Sequence, residues 1–278
     1  MEINESNKKL INDFKEFVSF GYSRLQNFPL NRNKFRLKKQ ILHIMMAATQ
    51  SYSEAIIKLM DNPPVYDKAA EVLYRSLVEN LINLSYIYSV KNQENALIFL
   101  AFSIQDNNDF VKNYKALMLK YPEWNLDFTK LDSTRKCDDY IKKNNEVLER
   151  YQKKYKINLP KKLPRIITRV IKYDEYLKSK NKFSERNNLE YSYVLFYKFF
   201  SQIAHLTMPG LERFLIKQSD GNEKLVIDGD DDSIKRLLSI TYQLYFVFLR
   251  FTLQQFNLYD KNEFKKFKEV SKTLVGKL

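Results

Sequence analysis

The run LLSITYQLYFVFLRFTL, Leu237–Leu253, decides the fold class. It is the most apolar stretch of the chain. Gln243 and Arg250 interrupt it, and it falls short of the roughly 20 apolar residues that a membrane span needs. It reads instead as a core helix, from Ile234 to about Leu258. Asp230, Asp231, Asp232 and Ser233 stand just before it, and anionic side chains at a helix start are favoured by its dipole. Three consecutive residues at a helix start point in different directions, so capping explains the aspartates better than a metal site does.

Outward from this helix the same periodicity recurs. Leu10, Ile11, Phe14, Phe17 and Val18 make a helical stripe over Asn4–Phe20. Lys34–Met60 follows, with Leu37, Ile41, Ile44, Met45, Ala48 and Tyr52 on one face, and Asp61, Asn62, Pro63 and Pro64 end it. Asp67 reads as the N-cap of a helix through Tyr88, and a further helix spans about Asn95–Lys120. Shorter helices are expected near 132–155 and 163–180, a long aromatic one over Asn188–Leu206, and a basic amphipathic one over Lys261–Leu278. The chain has only five Gly and seven Pro in 278 residues. Sheet-rich folds need turn residues every ~8–12 positions, and that spacing is missing. The fold class is therefore all-α, a helical bundle. One small β-hairpin is expected, with 214–217 and 224–227 flanking Ser219, Asp220, Gly221 and Asn222. A single domain over 1–278 is expected, with 121–186 a basic helical insertion or subdomain.

Composition narrows the function. Net charge is +14, from 47 Lys and Arg against 33 Asp and Glu. Between Lys112 and Lys182 there are 20 basic residues against 9 acidic ones, so about a quarter of the chain carries most of the excess. Such a field favours polyanions, with a solvated basic face as the plain alternative. The single cysteine, Cys137, rules out a disulfide framework within one chain and reads as a bystander thiol. The acidic, polar start of the chain lacks a secretory pattern, which makes a soluble, cytoplasmic protein without membrane contact the expectation.

Chemistry-bearing residues are few. There is no Gly-rich phosphate loop, no Gly-x-Ser-x-Gly elbow and no His/Cys metal cluster, so no cofactor and no metal are expected. Of two histidines, His43 lies among apolar neighbours and reads as a core histidine. His205 closes the aromatic helix, with Ser201 one turn earlier on the same face. Arg75 and Glu79 are also four apart, inside an otherwise apolar helix, where burying either charge alone is costly.

An Arg-x3-Glu helix with aliphatic flanks, followed about 125 residues later by an aromatic helix ending in Ser-x3-His, resembles a bacterial all-α domain-of-unknown-function family over roughly residues 35–258. That family is in turn similar to HEPN domains, helical bundles often found as ribonuclease toxins and anti-phage effectors. Their usual signature is Arg-x4–6-His on one helix. Here Lys198 stands where the arginine would be, and Arg75 would have to supply the guanidinium from another helix. The resemblance implies RNA binding or metal-independent RNA cleavage. In it, His205 would move a ribose proton and Arg75 would stabilise phosphate charge. Glu79 would orient Arg75, with Ser201 or Tyr197 bonding the phosphate. It also implies RNA as the favoured partner, with an antitoxin or other protein partner and homo-oligomerisation left open. The competing expectation is a buried Arg–Glu–Ser–His network fastening two helices. The protein would then be a non-enzymatic one that docks a protein or nucleic acid through its basic middle segment.

Overall fold

The computed structural model describes the chain apart from residues 1–2, 27–34, 62–64, 91, 122–132, 161–163, 183–188, 206, 218–221, 226–228 and 276–278. The helices are α1 (Glu5–Gln26), α2 (Leu37–Asp61), α3 (Asp67–Tyr88), α4 (Glu94–Lys120), α5 (Thr134–Tyr155), α6 (Ile166–Ser179), α7 (Leu189–Ser192), α8 (Phe199–Ala204), α9 (Met208–Leu211), α10 (Asp231–Phe256) and α11 (Lys265–Val275). A π-helical stretch, Tyr193–Lys198, joins α7 to α8. The fold class is all-α, as expected. The chain forms two compact units, Met1–Tyr86 with Ile166–Leu278, and Ile87–Arg165.

In the larger unit α10 is the central element. Asp230 caps it by accepting the Ser233 N–H at 2.6 Å, which holds its carboxyl below the usual range, and Asn257 closes it in the left-handed conformation. Leu237, Leu238, Tyr242, Tyr245, Phe248, Leu249 and Leu253 of this helix are all fully or almost fully buried. Helices α1, α2 and α11 pack on it. The Phe17 ring of α1 stacks on Phe267 of α11 at 4.3 Å and meets Tyr242 and Tyr245 of α10 at 5.0 and 5.1 Å. Burying one such ring stabilises the fold by about 2–3 kcal/mol. Gly21 lets α1 approach α10, because any Cβ there would collide with the Tyr245 hydroxyl.

Several polar groups inside this core are paired, while the buried Ser53 hydroxyl of α2 has no partner among the described residues. Gln50 of α2 donates to the Val18 carbonyl of α1 at 2.9 Å and accepts from the Tyr245 hydroxyl of α10. One amide thus ties three helices, and burial pushes the Tyr245 phenol well above its ordinary pKa. Gln243 and Ser271 bond reciprocally between α10 and α11, so the first interruption of the apolar run is spent on a helix–helix clamp.

In the unit Ile87–Arg165, α4 and α5 run antiparallel around Val111, Tyr114 and a fully buried Cys137, with Met118 and Ile141 alongside. Burial, with Asp138 nearby, pushes the Cys137 thiol up, away from the reactive thiolate. Lys115 reaches both Asp138 carboxylate oxygens at 2.7 Å.

Several expectations shift. The unit holding the basic segment runs from Ile87 to Arg165, so it begins upstream of residue 121, and α6 belongs to the larger unit. The long helix expected over 188–206 is three pieces, with a π-helical middle. Asp67 is the first residue of α3 rather than its N-cap. Of the expected hairpin, the structure describes a three-residue antiparallel pairing of Leu215–Lys217 with Glu223–Leu225; its turn lies outside the described residues. His43 is half-buried against Phe256, with its Nδ1 unpaired among the described residues, and burial lowers its pKa.

Removing the central ring should be the more damaging of two core changes. Phe17→Ala is expected to cost about 3–5 kcal/mol. Tyr245→Phe strands the Gln50 acceptor and is expected to cost about 1–3 kcal/mol. Urea unfolding followed by circular dichroism measures both, and equal midpoints for the two variants contradict the ranking.

Candidate functional site

Asp67, Glu71, Arg75, Glu79 and Asn83 recur every fourth residue along α3. A residue turns by about 100° on a helix, so each step of four advances about 40°. The stripe therefore winds slowly around α3 and meets different neighbours along its length. At its start, Arg213 donates to Glu71 Oε1 at 2.8 Å, and Arg236 Nη2 stands 3.9 Å from the same carboxylate. Glu71 is buried, which pushes its carboxyl up against the opposing pull of Arg213 and Lys68. The Arg213 guanidinium also lies over the Phe199 ring at 4.3 Å.

Arg75 comes next and faces α8. Its Nε donates to Ser201 Oγ at 2.8 Å, and its Nη2 donates to the Tyr197 hydroxyl at 2.7 Å. Its guanidinium sits 4.6 Å from the centroid of the Tyr197 ring. The Ser201 hydroxyl donates to the Tyr197 carbonyl at 2.6 Å. The π-helical turn ends beside this pair, and such turns are common at functional sites. Glu79 Oε2 lies 3.6 Å from Arg75 Nη1, an ion pair too long for a hydrogen bond. The Arg75 side chain keeps 19% exposure and Glu79 keeps 34%. Burial, then the charge of Glu79, raises the Tyr197 pKa, with Arg75 opposing.

At the far end Arg169 of α6 is buried and donates to Asn83. Burial lowers the Arg169 pKa, with the nearby Glu79, Tyr86 and Tyr197 opposing. Asp174, one turn further along α6, accepts the first N–H groups of α7, from Leu189 at 3.1 Å and Glu190 at 3.2 Å. This fixes the start of the aromatic segment.

The structure thus brings together Arg75, Glu79 and Ser201, with Tyr197 as a fourth member. His205 stands apart. It is the exposed C-cap of α8, and its backbone N–H donates to the Ser201 carbonyl at 2.9 Å. Its ring makes no hydrogen bond to the described residues. Sequence reasoning missed Glu71, Asn83, Arg169 and Arg213. The four-residue stride was a usable signal for the first two. Arg169 carried a weaker one, a cation among Ile166, Ile167 and Val170. Among the described residues no group of three or more His, Cys, Asp or Glu is placed to hold a metal ion, and no helix is long and apolar enough to cross a membrane.

Fold and seam together define a helical-bundle protein with an arginine-centred polar seam between α3 and the π-helical segment. The chain belongs to the family of unknown function DUF5677, whose model matches residues 39–223 and so takes in Arg75, Glu79, Tyr197 and Ser201. No curated protein and no solved structure matches the chain.

The Arg75–Ser201 contact is a charge-assisted hydrogen bond in a partly buried place. A double-mutant cycle of Arg75→Ala with Ser201→Ala should return a coupling of about 1–3 kcal/mol in chemical unfolding. A coupling near zero means the two side chains do not interact in solution.

Proposed function

We propose that this chain is a HEPN-like, RNA-directed protein that cleaves RNA without a metal ion. One observation carries this reading. Arg75 is gripped through Nε and Nη2, so its Nη1 edge points in a fixed direction beside Glu79 with the side chain still reachable by solvent. An exposed imidazole stands one helical turn beyond the serine that grips it.

In this mechanism His205 accepts the proton of a ribose 2′-OH. The 2′-oxygen attacks the adjacent phosphorus, the bond to the 5′-oxygen breaks, and the leaving oxygen takes a proton back from the imidazolium. The products are a 2′,3′-cyclic phosphate and a 5′-hydroxyl. Arg75 Nη1 stabilises the charge that builds on the phosphate oxygens. Glu79 orients that edge. Ser201 holds Arg75 rather than the phosphate, because its oxygen accepts from Arg75 Nε and its proton goes to the Tyr197 carbonyl; the Tyr197 hydroxyl accepts from Arg75 and still has its own O–H to offer a phosphate oxygen. In a cell such an activity would act as a toxin or anti-phage effector, restrained by a protein antitoxin.

A second reading has its own support. Arg75 has partners on three sides, which is what a purely structural network requires. The chain would then be a non-enzymatic interaction protein, with its basic segment docking a nucleic acid or protein.

His205→Ala separates the two. The side chain is exposed, so its loss should leave the melting temperature within a degree or two. Cleavage of a labelled RNA and any toxicity on expression should both disappear. A folded variant with wild-type cleavage overturns the mechanism, and a wild type that leaves RNA intact favours the interaction protein. RNA affinity should also fall steeply between low and moderate salt, since bound phosphates release counterions. Filter binding at two salt concentrations reads this, and no binding at low salt reduces the basic segment to a solvated face.

A further inference from the structure

Two long helices packed side by side ordinarily close their seam with apolar side chains. In the unit Ile87–Arg165 the seam between α4 and α5 is apolar at one end only, around Val111, Tyr114 and Cys137. It then changes to amides. Asn108 is 6% exposed; its Nδ2 donates to Asn145 Oδ1 at 3.0 Å, and its Oδ1 accepts from Asn144 Nδ2 at 2.8 Å. Beside these amides lies a cleft of about 280 Å³, lined by Phe102, Ile104, Leu148 and Pro160 and also by the ion-paired Asp109 and Lys112. An unfilled volume forfeits dispersion contacts, and amide pairs contribute little net stability.

The chemistry of the lining is specific. Because Asn108 occupies Asn145 Oδ1, Asn145 presents its two Nδ2 hydrogens, which have no partner among the described residues. Gln105 adds an exposed amide at the mouth. The last turns of α5 carry exposed Arg150, Lys153 and Lys154, and Lys156 follows as the left-handed cap. On the same turns Tyr151 and Tyr155 stack with ring planes 6° apart, and Lys154 lies over the Tyr155 ring at 5.5 Å.

Resting on the RNA-directed reading above, we propose that the α4–α5 cleft seats one unstacked nucleobase of single-stranded RNA, with the neighbouring phosphates along the basic end of α5. Apolar walls suit the face of a flat ring. Amide donors suit the carbonyl and ring-nitrogen acceptors on its edge. Lysines and an arginine suit the phosphates, and stacked tyrosines offer a platform for the next base. A simple anion has no use for the apolar walls, and a simple hydrocarbon has no use for the donors. Duplex RNA keeps its bases stacked and does not enter.

The test uses the full chain carrying His205→Ala, so that the RNA stays whole. Fluorescence anisotropy compares a short oligouridylate with an abasic ribose-phosphate oligomer of the same length and with the matching duplex. The oligouridylate should bind about fivefold or more tightly than either. Asn145→Asp keeps the acceptor for Asn108 and removes the donors. It should weaken oligouridylate binding about fivefold to tenfold. Asn113→Asp, the same charge change at an exposed position of α4, should shift binding less than about twofold. Gln105→Ala, at an exposed position, should weaken binding in the same direction without threatening the fold. Equal affinity for the abasic oligomer, or equal effects of the two Asn→Asp changes, overturns the base seat. If the wild type cleaves RNA while Asn145→Asp binds normally, the seat fails and the cleavage reading survives. If Asn145→Asp weakens binding and the wild type never cleaves, the seat stands and the cleavage reading fails.

Discussion

A charged side chain taken out of water must meet a partner, and α3 carries five polar residues into partly or fully buried positions. That constraint organises one side of the larger unit. Glu71 without Arg213 would be a buried carboxylate left with only the more distant Arg236, and breaking a buried pair costs up to about 3–5 kcal/mol. The same demand recurs at Arg75 and at Asn83. Because the stripe winds by about 40° per step, these demands point in successive directions. They are met in turn by residues after α9, by α8 with the π-helical turn, and by α6. The order of these elements around α3 follows from a spacing of four on a helix of 3.6.

The other side of that unit follows a different logic. Around α10 the stabilisation is aromatic and aliphatic burial, with polar contacts few and reciprocal. Gln50 illustrates the economy, since its single amide serves a carbonyl of α1 and a phenol of α10. Such a core specifies how closely helices approach, as at Gly21, and little else. Chemistry has more room on the α3 side, where Arg75 and Glu79 are only partly buried.

The legible parts of the sequence were those governed by burial. The run Leu237–Leu253 announced its helix because apolar residues fill most of its directions, and Asp230 announced its start because a carboxylate there has an N–H to accept. The stop at 61–64 was legible because proline lacks a donor. The π-helical turn was not. It lies where Tyr197 and Ser201 meet Arg75, more than 120 residues away in sequence, and a local pattern does not report such contacts. The pairing of Arg75 with Glu79 was legible as a local spacing, whereas Arg169 was not, since its meaning depends on Asn83 across the fold. The limits of the smaller unit were also hidden, because charge follows composition while compactness follows the α4–α5 seam. Cys137 and Ile141 in that seam belong to it as firmly as the lysines do.

The departure from an Arg-x4–6-His helix bears on what the proposed chemistry needs. A phosphate transition state requires donors whose direction is fixed before the charge develops. Lys198 occupies the expected position, but it is exposed, and its ammonium lies over the Tyr193 ring at 5.7 Å. A lysine offers a point charge on a flexible stem, so its direction is not set by the backbone that carries it. A guanidinium is a planar fork, and two bonds to it define where the remaining edge points. Arg75 has those two bonds, through Nε and Nη2, and both acceptors lie on the segment that leads to His205. Supplying the arginine from a neighbouring helix therefore preserves the geometric requirement that a lysine on the same helix does not meet. What the arrangement gives up is independence: the direction of the Arg75 edge depends on α3 and the π-helical turn staying in register, so any change that shifts that turn would act on the proposed chemistry as well as on the fold.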